Sequence, residues 1–95
     1  MLPDLNIMIR FRTTEEGGRN EAVQGPFYGC PMRIDDRMFD CRLLLEHRIL
    51  KLGETYQVLV KLLNPKLAKK YLSVGKDMVL WEGKDIADGK ILKIY

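Results

Sequence analysis

The stretch Thr55-Tyr56-Gln57-Val58-Leu59-Val60-Lys61-Leu62-Leu63 decides the fold. Tyr56, Val58, Val60 and Leu62 recur at every second residue with Gln57 and Lys61 between them, which is the period of a strand with one buried face. Leu59 and Leu63 fall on its outer side. Lys51-Leu52-Gly53-Glu54 opens it as a turn, and Asn64-Pro65 closes it, because proline cannot donate to a ladder and restricts the residue before it. The same alternation runs outward along the chain. From Leu5 to Thr14 it sets Leu5, Ile7, Ile9 and Phe11 on one side. From Phe39 to Leu45 it sets Phe39, Cys41, Leu43 and Leu45 inward, with Asp40, Arg42 and Leu44 outward. Lys76 to Trp81 and Lys90 to Tyr95 read as two more strands, separated by the turn-rich Glu82 to Gly89.

Between these elements the chain is punctuated rather than periodic. Gly17-Gly18 is a turn signal, and Gly25-Pro26, Gly29 and Pro31 interrupt every few residues, so the reading leaves Gln24 to Met32 as an irregular loop. Lys66 to Ser73 is the one helix-compatible run, and its eight residues, without a cap, are marginal alone. Six or so short strands with turns every 8–12 residues, roughly, and no βαβ alternation indicate an all-β chain, an antiparallel sandwich or a small barrel. Residues 1–95 are too few for two cores, so one domain is expected.

The composition, 46% apolar and 31% charged, is that of an ordinary globular chain and excludes collagen-like or disordered classes. Sixteen basic against thirteen acidic side chains give a net charge of +3, weaker than the footprint of a dedicated nucleic-acid binder. The excess is local, with nine basic against five acidic residues in 49–95. Two cysteines, Cys30 and Cys41, without a second Cys or His pair defeat a zinc site. They fit free thiols of a cytoplasmic protein, Cys41 as a small core residue and Cys30 as an exposed thiol of the irregular loop. No apolar segment resembles an export signal or a membrane span.

Three stretches carry a resemblance: EEGGR at Glu15 to Arg19, LKLGETYQVLVKLLNP at Leu50 to Pro65, and VGKDMVLWEGKDIADGKILKI at Val74 to Ile94. In that order and spacing the chain resembles the third, C-terminal β-barrel domain of elongation factor Tu. The resemblance implies a small closed antiparallel six-stranded β-barrel, standing free of the GTPase domain, since no GxxxxGK[ST] phosphate loop occurs in the chain. It departs from the family where QGPFYGCPM replaces the segment after EGGR and where Asp85 and Ala87 alter the terminal hairpin. In the family this barrel contributes to gripping the T-stem of aminoacyl-tRNA and packs on protein neighbours. By that likeness Arg19, held by Gly17 and Gly18, and Gly83 and Gly89 of the terminal hairpin are candidate contacts to a partner.

The residues themselves allow two readings of Arg19: a bidentate contact to a phosphate or carboxylate, or a pair with Glu15, Glu16 or solvent. Lys66, Lys69 and Lys70, with Tyr71 as a stacking surface, form either a basic patch for nucleic acid or a solvated face. Phe27 and Tyr28, on the irregular loop, either cap a barrel end or meet a partner. His47, the one histidine, has no nucleophile or second ligand at useful spacing, and Asp35, Asp36 and Asp40 fall short of a calcium loop. The expectation is a non-catalytic module without cofactor, metal or nucleotide and off the membrane. It would bind a protein through the EGGR turn and the Gln24 to Met32 loop, or alternatively the backbone of an RNA such as tRNA.

Overall fold

The computed structural model describes residues 2–95. Six strands form it: β1 (Leu5–Phe11), β2 (Phe27–Ile34), β3 (Arg37–Leu44), β4 (Thr55–Leu62), β5 (Asp77–Trp81) and β6 (Asp85–Ile94). They close into a barrel in the order β1-β4-β3-β2-β5-β6, every neighbour antiparallel. Closure removes the free edges that an open sheet would present. Inward residues fill it, with Leu5, Ile7, Ile9, Phe11, Met32, Leu43, Val60 and Leu80 wholly buried.

The period-2 stretches became β1, β3 and β4 close to the expected bounds. The segment from Phe27 did not stay irregular. Phe27 to Ile34 pairs with β3 along its whole length, from Phe27 opposite Leu44 to Ile34 opposite Arg37. On its other side β2 meets β5 only at Met32 and Arg33. Pro31 therefore stands one residue outside that second ladder, where a missing N–H is tolerated. The strand turns Cys30 inward, and it is buried rather than exposed. Phe27 remains outside.

Three smaller differences have similarly local causes. β6 starts at Asp85 rather than Lys90, because the turn from β5 takes only Glu82 to Lys84. Leu44 is buried although its parity points outward, lying between Phe27 and Leu59 on the neighbouring strands. The helix, α1 (Pro65–Ala68), runs on into a 3-10 turn at Lys69–Tyr71 and does have a cap: the Asn64 side chain accepts from the Leu67 N–H, with Pro65 in the first turn.

The strands define two barrel ends. One carries the connections 12–26, 45–54 and 82–84; the other carries residues 2–4, the Asp35-Asp36 hairpin, α1 with its 3-10 turn, and Tyr95. At the second end Asp4 is buried and its carboxylate accepts from Lys61 Nζ at 2.9 Å and the Leu62 N–H at 2.8 Å. Lys69 Nζ lies 3.5 Å from the other carboxylate oxygen and donates to the Tyr95 carbonyl at 2.8 Å.

Candidate interaction surface

The EGGR turn is built by its neighbours. The Thr13 carbonyl accepts from the Glu16 N–H at 3.1 Å and the Gly18 N–H at 2.8 Å, and Glu16 Oε1 takes the Thr13 N–H at 2.8 Å. The two glycines serve different needs. Gly17 sits at φ +84° with open space around it, so conformation alone requires it. Gly18 is not in the left-handed region; a Cβ there would lie 2.1 Å from the Arg12 carbonyl oxygen, so close backbone approach requires it.

Arg19 leaves this turn and reaches across the barrel end. Its Nη1 donates to the Tyr28 hydroxyl at 2.9 Å and to both Glu82 carboxylate oxygens at 3.1 Å, while Nε donates to the Glu21 carbonyl at 3.3 Å. The Tyr28 hydroxyl itself bonds Glu82, and its ring lies beneath the guanidinium and edge-on to Phe11. Neither Glu15 nor Glu16 is its partner. The side chain is 23% exposed. Three segments, the EGGR turn, β2 and the β5–β6 turn at Gly83, are thereby cross-tied, and Arg19 as it stands has most of its donors engaged inside the protein.

A run of arginine–carboxylate pairs continues from this end. Arg10 meets Glu16 at 3.0 Å, Arg12 holds Asp88 through two bonds of 2.8 Å, and Arg33 holds Asp85 at 2.7 and 3.0 Å. The bond from Arg33 holds the Asp85 carboxyl below its ordinary pKa, and the bond from Arg12 does the same for Asp88. Asp85, which departs from the family pattern, thus has a partner on β2 that no sequence spacing reveals, since the two residues come together only when the barrel closes.

The other candidates are scattered. Lys66, Lys69 and Lys70 sit at the opposite barrel end from Arg19, and Lys69 is occupied by Asp4 and Tyr95. Tyr71 is stacked on Phe39 at 5.9 Å and carries the Arg37 guanidinium at 3.9 Å, so its ring is already in use rather than open for a base. Gly89 lies within β6, where a Cβ would strike the Met8 carbonyl at 2.4 Å and Met78 Sδ at 2.7 Å; its missing side chain serves strand packing inside the barrel. Gly83, at φ +74° with open space around it, serves the β5–β6 turn. His47 is exposed, and no group of three His, Cys, Asp or Glu suited to a metal occurs among the described residues.

Phe27 is different. It is 48% exposed on the outer wall, with the Arg42 guanidinium 6.0 Å from its ring. On the far side of Arg42, a groove of about 500 Å³ bordered by Gly29 and Pro31 runs past Asp40 and Lys61 to Leu63, itself 71% exposed. Arg42 has no carboxylate partner among the described residues. This groove was not foreseen: it depends on β2 being a strand, and on the β2-β3-β4 order that lays Pro31, Asp40 and Leu63 side by side.

No family model and no curated protein matches this sequence. Among solved structures the chain is similar to one described as sup35 complexed with GDP, with a TM-score of 0.67 and 13% identity over 98% of this chain. The chain spans only 26% of that protein's length. At this identity the likeness shows the fold alone, a closed six-stranded antiparallel barrel.

Proposed function

We propose that the barrel is a non-catalytic protein-binding module, related in role to the barrel domains of translation factors. The observation that carries this is the outer wall of β2: Phe27 is held exposed on a regular strand, with Arg42 leading from it to a groove of apolar, acidic and basic side chains, whereas Arg19 has most of its donors engaged internally. Aromatic residues and arginine are enriched in protein interfaces. In this reading the Arg19–Tyr28–Glu82 cross-tie fixes the base of β2 and so aims Phe27, and residues 27–32 of the expected loop act as part of a strand. The sup35 likeness supports a translation-related setting, and the absence of a phosphate loop supports a module that binds no nucleotide. No helix among the described residues is long and apolar enough to cross a membrane; the proposed location is the cytoplasm.

Exposed Lys66 and Lys70, which have no carboxylate partner within 4.0 Å among the described residues, favour RNA as a second reading. Capture from cell extract separates the two. A protein retained after nuclease treatment, and lost with Phe27→Ala or Arg42→Glu, is the expected result. Release by nuclease, with retention falling steeply as salt rises and unaffected by Phe27→Ala, would establish the RNA reading instead.

A further inference from the structure

Cys30 and Cys41 are the chain's two cysteines and stand directly opposite each other in the β2–β3 ladder, not joined to each other and both facing the core. Cys41 Sγ donates to the Cys30 carbonyl at 3.3 Å. Opposed residues of an antiparallel pair hold their Cα atoms about 4.5–5.5 Å apart, within the roughly 4.4–6.8 Å spanned by disulfides, so no strand needs to slide for the sulfurs to join.

We propose that Cys30 and Cys41 are a reversible dithiol–disulfide site, oxidised in the folded protein by a small organic disulfide of the glutathione type. In the first step the Cys30 thiolate attacks one sulfur of the reagent disulfide, which forms a mixed disulfide on Cys30 and releases one thiolate. In the second step Cys41 loses its proton and attacks the Cys30 sulfur, closing the cross-strand bond and releasing the second thiol. Overall one dithiol and one reagent disulfide become one protein disulfide and two reagent thiols, so the two electrons leave with the reagent.

The surroundings set the order of attack. Cys30 is the more exposed of the two, at 7% against 4%, and both border the groove beneath Gly29 and Pro31. The neighbouring Cys30 thiol and burial push the Cys41 thiol well above its ordinary pKa, which makes it the poorer first nucleophile of the pair. β2 is laddered to β5 through only two residues, Met32 and Arg33. Oxidation would staple that strand to β3, whose Cys41 is in turn paired with Leu62 of β4.

The test uses the whole chain in native buffer with mixtures of oxidised and reduced glutathione, and it does not depend on any binding partner. Intact mass should show the loss of two hydrogens without lasting adduct, reversed by dithiothreitol. Because Arg33 and Arg37 lie between the cysteines, trypsin should give two peptides joined through Cys30 and Cys41. Cys41→Ser should instead retain one glutathione on Cys30, and Cys30→Ser should leave Cys41 unmodified. The oxidised chain should melt at a higher temperature than the reduced one. If wild-type protein keeps both thiols in native buffer while losing them in denaturant, or if it forms only disulfide-linked dimers, the proposal is wrong. Should either variant fail to fold by circular dichroism, the wild-type mass and peptide map decide alone.

Discussion

Replacing Asp4 should be among the costliest single changes at a polar position. Its carboxylate is buried, receives a charge-assisted bond from Lys61 at 2.9 Å, and accepts from the buried Leu62 N–H at 2.8 Å. Asp4→Ala strands that N–H, at about 1–3 kcal/mol, and deletes a bond to a cation that is itself partly solvated, adding about 1 kcal/mol or less. A total of about 2–3 kcal/mol corresponds to a fall in Tm on the order of 10–15 °C for a domain of this size. Asp4→Asn keeps an acceptor for Leu62 and loses the charge, so it should cost about 1 kcal/mol. Burial pushes the Asp4 carboxyl up, but its bonds from Lys61 and Leu62, with the charges of Lys61 and Lys69, outweigh this and leave its pKa below the ordinary 3.8. The stabilisation is therefore present above the unfolded carboxyl pKa and lost as pH falls through the lower folded value. Urea titrations of wild type and Asp4→Asn between neutral pH and the acid limb should converge at the acid end. If Asp4→Ala lies within about 0.5 kcal/mol of wild type, the carboxylate does not hold that end and the reasoning fails.

Gly18→Ala should destabilise more than Gly17→Ala in a denaturant titration, because the first drives a Cβ into the Arg12 carbonyl and the second costs only left-handed strain of about 1 kcal/mol. Arg19→Ala should lower stability by about 1 kcal/mol through loss of the Tyr28 and Glu82 bonds, and Tyr28→Phe should reproduce part of that loss; a double-mutant cycle that finds no coupling between them would exclude the cross-tie. Phe27→Ala should abolish capture of the protein partner while costing about 1 kcal/mol of stability, since its ring is half exposed yet covers Leu44; unchanged capture would exclude it as the anchor.

Much of the barrel was legible because alternation is a direct record of which face is buried. Leu5, Ile7, Ile9, Val58, Val60 and Leu62 announce β1 and β4 without any knowledge of their partners. β2 hid because Gly29 and Pro31 carry turn signals, and its strand character comes from β3 alongside it rather than from its own residues. The site was less legible for the same reason carried further. Gly17, Gly18 and Arg19 marked a real turn, but the partners of Arg19 lie 9 and 63 positions away and meet it only through closure. Lys69 looked like a free surface cation, and Gly89 like a hairpin glycine, because neither Asp4 nor the approach of Met8 is written in the local sequence.

The knot around Asp4 also settles geography. The Tyr95 N–H donates to the Asp4 carbonyl at 2.9 Å, and Leu5 pairs with Ile94, so positions 4 and 95 emerge side by side at the barrel end opposite Arg19. Any polypeptide continuing from either would leave in the same neighbourhood, and the Arg19 end would face away from whatever is attached. The barrel should therefore act as a plug-in unit: inserted into a host loop through positions 4 and 95, it should keep its fold and point the EGGR turn outward. A short bridge joining the two positions, with new termini opened at the exposed Gly83 turn, should give a circular permutant of unchanged architecture.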